Sequence, residues 1–111
     1  MGEPLDLEEL LEEAGEAVLE LVFEALRFVR EACRGGCARE ACERVEDLLG
    51  EAMDEAEEAA HGLGFVRLSA VGRAAAVLEA EAGRLEGAGC REEAELFREA
   101  ARRLSMAYQL G

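Results

Sequence analysis

Apolar residues recur along this chain in alternating steps of four and three, the spacing of one face of an α-helix. Three glycine-centred breaks interrupt them: Arg34-Gly35-Gly36, Gly62-Leu63-Gly64 and Gly87-Ala88-Gly89. This pattern predicts four helices, over about residues 5–33, 37–61, 65–86 and 90–110. The turns between them are short, so consecutive helices must run antiparallel. The expected fold is all-α, a single-domain antiparallel up-down four-helix bundle, and 111 residues suit one modest core.

The four faces differ in volume. Segment one begins with Pro4 and Asp6, suited to a first helical turn, and carries Leu7, Leu11, Ala14, Val18, Leu21, Ala25, Phe28 and Ala32. A second stripe beside it holds Leu19, Val22, Phe23, Leu26 and Val29. Together they cover about half the helix circumference, more than the arc of about 100° that a core-facing helix needs. The surplus predicts an exposed apolar patch, and such patches mark interfaces. The simplest symmetric use is a two-fold homodimer through helix one. Segment two is alanine-rich (Ala41, Val45, Leu48, Leu49, Ala52, Ala56, Ala59), with Gly62 in the position of a C-cap. Segment three carries Leu68, Val71, Ala75, Leu78, Ala82 and Leu85, beside a seam of small residues: Ser69, Gly72, Ala76 and Gly83. Segment four carries Cys90, Ala94, Phe97, Ala101, Leu104 and Tyr108. Because interiors pack densely, the small faces either approach helix one closely or leave room for a ligand. In the second case Ala52, Ala56, Ala75, Ala82 and Ala101 would line an internal pocket for an apolar small molecule.

Composition narrows the partners. The 26 acidic residues against 12 arginines give a net charge of −14, which repels nucleic-acid phosphates and anionic lipid. Neither nucleic acid nor membrane is expected as a partner. No apolar run has membrane-spanning length, and no signal peptide is expected, which places the chain as a cytoplasmic or recombinantly expressed soluble protein. Ile, Lys, Asn, Thr and Trp are absent. Either a GC-rich genome or a restricted design alphabet produces such a palette. Segments such as Leu7-Glu8-Glu9-Leu10-Leu11-Glu12-Glu13-Ala14 resemble idealised designed helices, which points to an engineered bundle. Glycines inside the helices and four cysteines point the other way.

The chemistry-bearing residues are few. An up-down bundle gathers Cys33, Cys37 and Cys90 at one end, with Cys42 about one and a half turns deeper. Three states are open to them: a four-thiolate metal site, a disulfide such as Cys33 to Cys37 across the turn, or free buried thiols. The spacing Cys-x3-Cys-x4-Cys fits no zinc-ribbon or ferredoxin pattern, and no metal or other cofactor is expected. His61, the single histidine, faces away from the apolar stripe and should be exposed as a last-turn cation. Glu58-x-x-His61 has the spacing of half a di-iron site, but one outward pair does not make a centre.

Ala60-His61-Gly62-Leu63, with Gly72 eleven residues on and Leu78-Glu79 or Leu85-Glu86 beyond, resembles the histidine phosphotransfer domain from Glu51 onward. That resemblance implies a four-helix bundle in which His61 accepts a phosphoryl group from an aspartyl phosphate. The family's Lys-Gly after Ala-His-x-Leu is Gly64-Phe65 here. Glu12-Glu13-Ala14-Gly15-Glu16 and Glu51-Ala52-Met53-Asp54 resemble the magnesium-binding carboxylates of all-α nucleotide pyrophosphohydrolases of the MazG type. In a chain so rich in glutamate, a solvated acidic face explains the same residues. Nucleophilic triads and phosphate-cradling loops have no support. The sequence therefore predicts a non-enzymatic helical scaffold that self-associates or presents a helical surface. Apolar-ligand binding and phosphotransfer through His61 are the alternatives.

Overall fold

A computed structural model describes residues 7–61 and 67–111, with side chains from residue 13 onward. Leu7, Leu11, the Gly62 cap and the Gly64-Phe65 pair of the phosphotransfer resemblance thus lie outside what is described, wholly or in their side chains. Among the described residues four α-helices form: α1 (Leu7–Cys33), α2 (Arg39–Ala60), α3 (Ser69–Gly87) and α4 (Arg91–Leu110), with a one-turn 3-10 segment, Gly36–Ala38, ahead of α2. Each helix packs on its neighbours in a ring: α1 on α2 and α4, and α3 on α2 and α4. The architecture is the expected four-helix bundle.

The core is built from 4-3 repeats. Val18, Val22, Ala25, Val29 and Ala32 face inward from α1, and Val71, Ala75, Leu78, Ala82 and Leu85 from α3. Phe97 and Leu104 fill the centre from α4, with Val45 and a run of alanines from α2. Burying such side chains stabilises the bundle by about 25 cal/mol per Å² of apolar area removed from water.

This arrangement corrects the reading of α1. The buried face lies between the two stripes expected from the sequence, not on the first of them. Val22 and Val29, expected in an exposed interface, are 0% and 5% exposed and belong to the core. Leu21 and Phe28, expected at the core, are only partly buried. The reason is that α1 has a neighbour on each side, and a helix seated between two others needs a wide apolar arc. Phe28 flanks the groove towards α4, and Leu26 the groove towards α2.

Local chemistry sets the helix ends. Arg67 and Leu68 are non-helical, so α3 starts later than the apolar period suggests. No side chain of its own caps it. Glu55 of α2 supplies the cap instead: Oε2 accepts from Ser69 Oγ at 3.2 Å and from the Ala70 N–H at 3.0 Å, and Oε1 from the Val71 N–H at 3.0 Å. At the other end of α3, Gly89 takes φ +88°, a conformation glycine enters without steric cost. The Gly89 N–H donates to the Glu86 carbonyl at 3.0 Å and the Cys90 N–H to the Leu85 carbonyl at 2.8 Å, the paired closure of a Schellman turn. Cys90 is thereby fixed at the start of α4.

Candidate functional site

The four cysteines form two disulfides, Cys33–Cys42 and Cys37–Cys90. The first ties the end of α1 to the first turns of α2, with Cα atoms 6.1 Å apart. The second ties the 3-10 turn to the head of α4 across 53 residues, with Cα atoms 6.0 Å apart. The cross-turn pair Cys33–Cys37 does not form, because the turn carries Cys37 over towards α4. Nor do the four sulfurs converge as a thiolate centre. Among the described residues the group of potential ligand atoms within 4.8 Å of one another is Cys37, Cys90 and Glu93, while Cys33 and Cys42 bond to each other.

The Cys33–Cys42 disulfide closes one end of an open groove of about 680 Å³ between α1 and α2. Phe23, Leu26, Val29, Leu49 and Met53 form its apolar surface, and Arg30, Arg39, Glu43, Glu46 and Glu57 its rim. Gly50 lies on the α2 side of the groove beside open space, where a Cβ would meet nothing within 4 Å. Phe23 is 50% exposed, the one large apolar side chain of α1 that is exposed among the described residues. Of the five residues expected to form an interface, Phe23 is exposed, Leu19 and Leu26 are half-buried, and Val22 and Val29 are interior.

The groove on the other flank of α1, about 440 Å³, is also open, but its aromatic ring has a partner. Arg103 of α4 lies over the Phe28 ring at 5.0 Å, a cation–π contact. It also donates from Nε to Glu24 at 3.3 Å and from Nη1 to Glu99 at 2.7 Å. Among the described residues no comparable cover lies across Phe23.

The alanines of the proposed interior pocket are packed rather than vacant. Ala52, Ala56, Ala82 and Ala101 are buried in the core, and Ala75 alone of the five also borders a surface groove. That groove contains part of the small-residue seam of α3. Its Gly72 lies beneath the half-exposed ring of Tyr108, whose nearest carbons would sit 3.0 Å from a Cβ at that position. The small residues here accommodate an aromatic side chain from α4.

Between α2 and α3 lies an ion-pair cluster that the sequence reading overlooked. Glu81 is 4% exposed. Arg44 grips it with both arms, Nε to Oε1 at 3.0 Å and Nη2 to Oε2 at 2.8 Å, and Arg84 adds a bond at 3.2 Å. The hydrogen bonds from Arg44 hold the Glu81 carboxyl below its ordinary value, against the desolvation that would raise it, with the charges of Arg44 and Arg84 helping. The signal was present: Ala74, Leu78, Glu81 and Leu85 share one 4-3-4 phase, so Glu81 occupies an apolar position.

His61 sits at the C-cap of α2, exposed, with its backbone N–H bonded to the Glu57 carbonyl at 3.1 Å. Glu58 beside it is also exposed. Of the carboxylates of the pyrophosphohydrolase resemblance, Glu13, Glu16 and Asp54 are exposed and Glu51 pairs with Arg73 at 3.4 Å, while the Glu12 side chain lies outside the described residues. Among the described residues no helix is long and apolar enough to cross a membrane. Comparison with protein-family models, curated proteins and solved structures finds no match for this chain.

Proposed function

We propose that this chain is a non-enzymatic interaction scaffold that pairs with a second copy of itself through the α1–α2 groove centred on Phe23. The observation that carries this reading is the contrast between the two flanks of α1. Phe28 is sheltered by Arg103, whereas Phe23 stands half exposed beside Leu26 and Met53. A two-fold contact would cover Phe23 of both copies at once. A net charge of −14 on each copy opposes the approach, so added salt should strengthen the pairing by screening it. Sizing with native mass spectrometry tests the idea. The expected result is a dimer that gains population between low and moderate salt and dissociates in Phe23→Glu with helicity retained. A wild type that stays monomeric at high protein concentration and high salt rules it out.

A second reading places a small apolar molecule in the same groove. Its volume lies in the range of small-ligand sites, and Met53 is an adaptable wall. Saturable dye binding to a monomer, lost in Met53→Glu, would favour it over pairing. Phosphotransfer through His61 rests on the exposure of that side chain, and labelling from a phosphorylated receiver tests it. The restricted residue alphabet supports an engineered origin. The two disulfides favour an oxidising compartment over the cytoplasm, where thiols are kept reduced.

A further inference from the structure

We propose that Cys37, Cys90 and Glu93 form a redox-gated site for a thiophilic divalent cation, closed while the Cys37–Cys90 disulfide is intact and opened by a dithiol reductant. Both sulfurs and a Glu93 carboxylate oxygen already lie within 4.8 Å of one another. Glu93 makes no ion pair among the described residues, so its charge is uncommitted. The donor set, two thiolates and a carboxylate, suits zinc, with water in the fourth position.

Access separates the two disulfides. Cys37 is exposed on the turn, whereas Cys33 and Cys42 are both half-buried. Attack by a thiolate depends on access, and Cys37 is the most exposed of the four cysteines. The dithiol gives up two electrons and two protons, becoming a cyclic disulfide, and Cys37 and Cys90 become thiols. A divalent cation then displaces the two thiol protons and bonds to both sulfurs.

The turn has room for the change. At Zn–S distances of about 2.3 Å, tetrahedral geometry places the sulfurs about 3.8 Å apart, so Cys37 must move outward. It follows Gly35 and Gly36. A Cβ at Gly35 would touch only Glu93 Oε1, at 3.5 Å, and one at Gly36 would touch nothing within 4 Å. With Cys37–Cys90 alone reduced, the Cys33–Cys42 bond would still join α1 to α2. The bound cation would restore the link between the turn and α4 that reduction removes, and the net negative charge of the chain favours its arrival.

Titration with Co²⁺ tests the site, using oxidised chain, chain reduced with a phosphine, and reduced Cys33→Ser/Cys42→Ser, Cys37→Ser/Cys90→Ser and Glu93→Gln variants. Thiolate-to-cobalt absorption, proton release and native mass are read together, with circular dichroism to follow folding. The expected result is one cobalt per reduced chain, two protons released, and no binding to the oxidised chain. Cys33→Ser/Cys42→Ser should keep the site, and Cys37→Ser/Cys90→Ser should lose it. Glu93→Gln should weaken binding by about tenfold or more. Equal binding by the oxidised chain, no binding after reduction, dependence on Cys33 and Cys42 instead, two cobalts per chain, or an unaltered Glu93→Gln would each overturn the proposal.

Discussion

Gly15 of α1 lies against Ala59 of α2 so closely that a Cβ on Gly15 would fall 2.1 Å from the Ala59 carbonyl oxygen. The obstacle is backbone, which cannot swing aside as a side chain can. Glycine here allows the two helices to touch at this end, whereas the groove beside Phe23 opens between them further along. Gly15→Ala should therefore destabilise the protein by about 1–3 kcal/mol, the usual range for overpacking. Urea denaturation measures it, and an unchanged midpoint would show that the two helices can separate without cost.

Gly50 and Gly83 make the opposite case. A Cβ at either would meet nothing within 4 Å, and both lie within helices. Replacing each by alanine should stabilise the protein by about 0.5–1 kcal/mol through backbone entropy. Thermal unfolding of the two single variants decides it. A loss at Gly50 alone would reveal a use for its open space.

Glu55 caps a helix to which it does not belong. Glu55→Ala leaves the first N–H groups of α3 without their acceptor and should cost about 1 kcal/mol, as loss of an N-cap does. Hydrogen exchange at Ala70 and Val71 should quicken more than at Leu85. Uniform quickening would mean that the cap stabilises the whole bundle and not one helix end.

The Arg44–Glu81 pair predicts both a rank order and a pH dependence. Arg44→Leu strands a buried carboxylate, so it should destabilise more than Arg44→Leu/Glu81→Leu, which removes both charges. The folded-state value of Glu81 lies below the ordinary 4.5. The pair's contribution is thus fully present above about pH 4.5 and is lost as pH falls through the lowered value. Thermal midpoints followed from pH 7 to 3 should fall less steeply in Glu81→Gln than in the wild type. Parallel curves would show that this carboxylate is not linked to stability.

Removing the disulfides singly should also separate them. Chain entropy assigns about 4 kcal/mol to the bond spanning 53 residues and about 2.5 kcal/mol to the one spanning 9. The two loops overlap, so the first removal should cost less than these figures. Cys37→Ser/Cys90→Ser should nevertheless lower the unfolding midpoint more than Cys33→Ser/Cys42→Ser, and the reverse order would point to native-state strain.

The bundle was legible because 4-3 spacing and glycine breaks are local signals. The seat of each helix was not, because it depends on its neighbours. In α1 two adjacent stripes could each have been the buried one, and the answer lay between them, moving Val22 and Val29 inward and leaving Phe23 out. Glu81 was legible in principle as a carboxylate at an apolar phase. Glu55 was not, since nothing near it in sequence marks the helix it caps. The cysteines were expected at one end, but their pairing turned on the path of three residues, Gly36–Ala38, which no periodicity encodes.

Both covalent links lie at the end where α1 meets α2 and α3 meets α4. The other end, with Gly15, Ala59 and Ser69, is held by packing and by the carboxylate of Glu55. Local opening should therefore be graded along the long axis, like tweezers joined at one tip. Amide exchange would be slowest beside Ala32, Ala41, Leu85 and Ala94 and fastest towards Ala59 and Ala107, and reduction of both bonds would level that gradient.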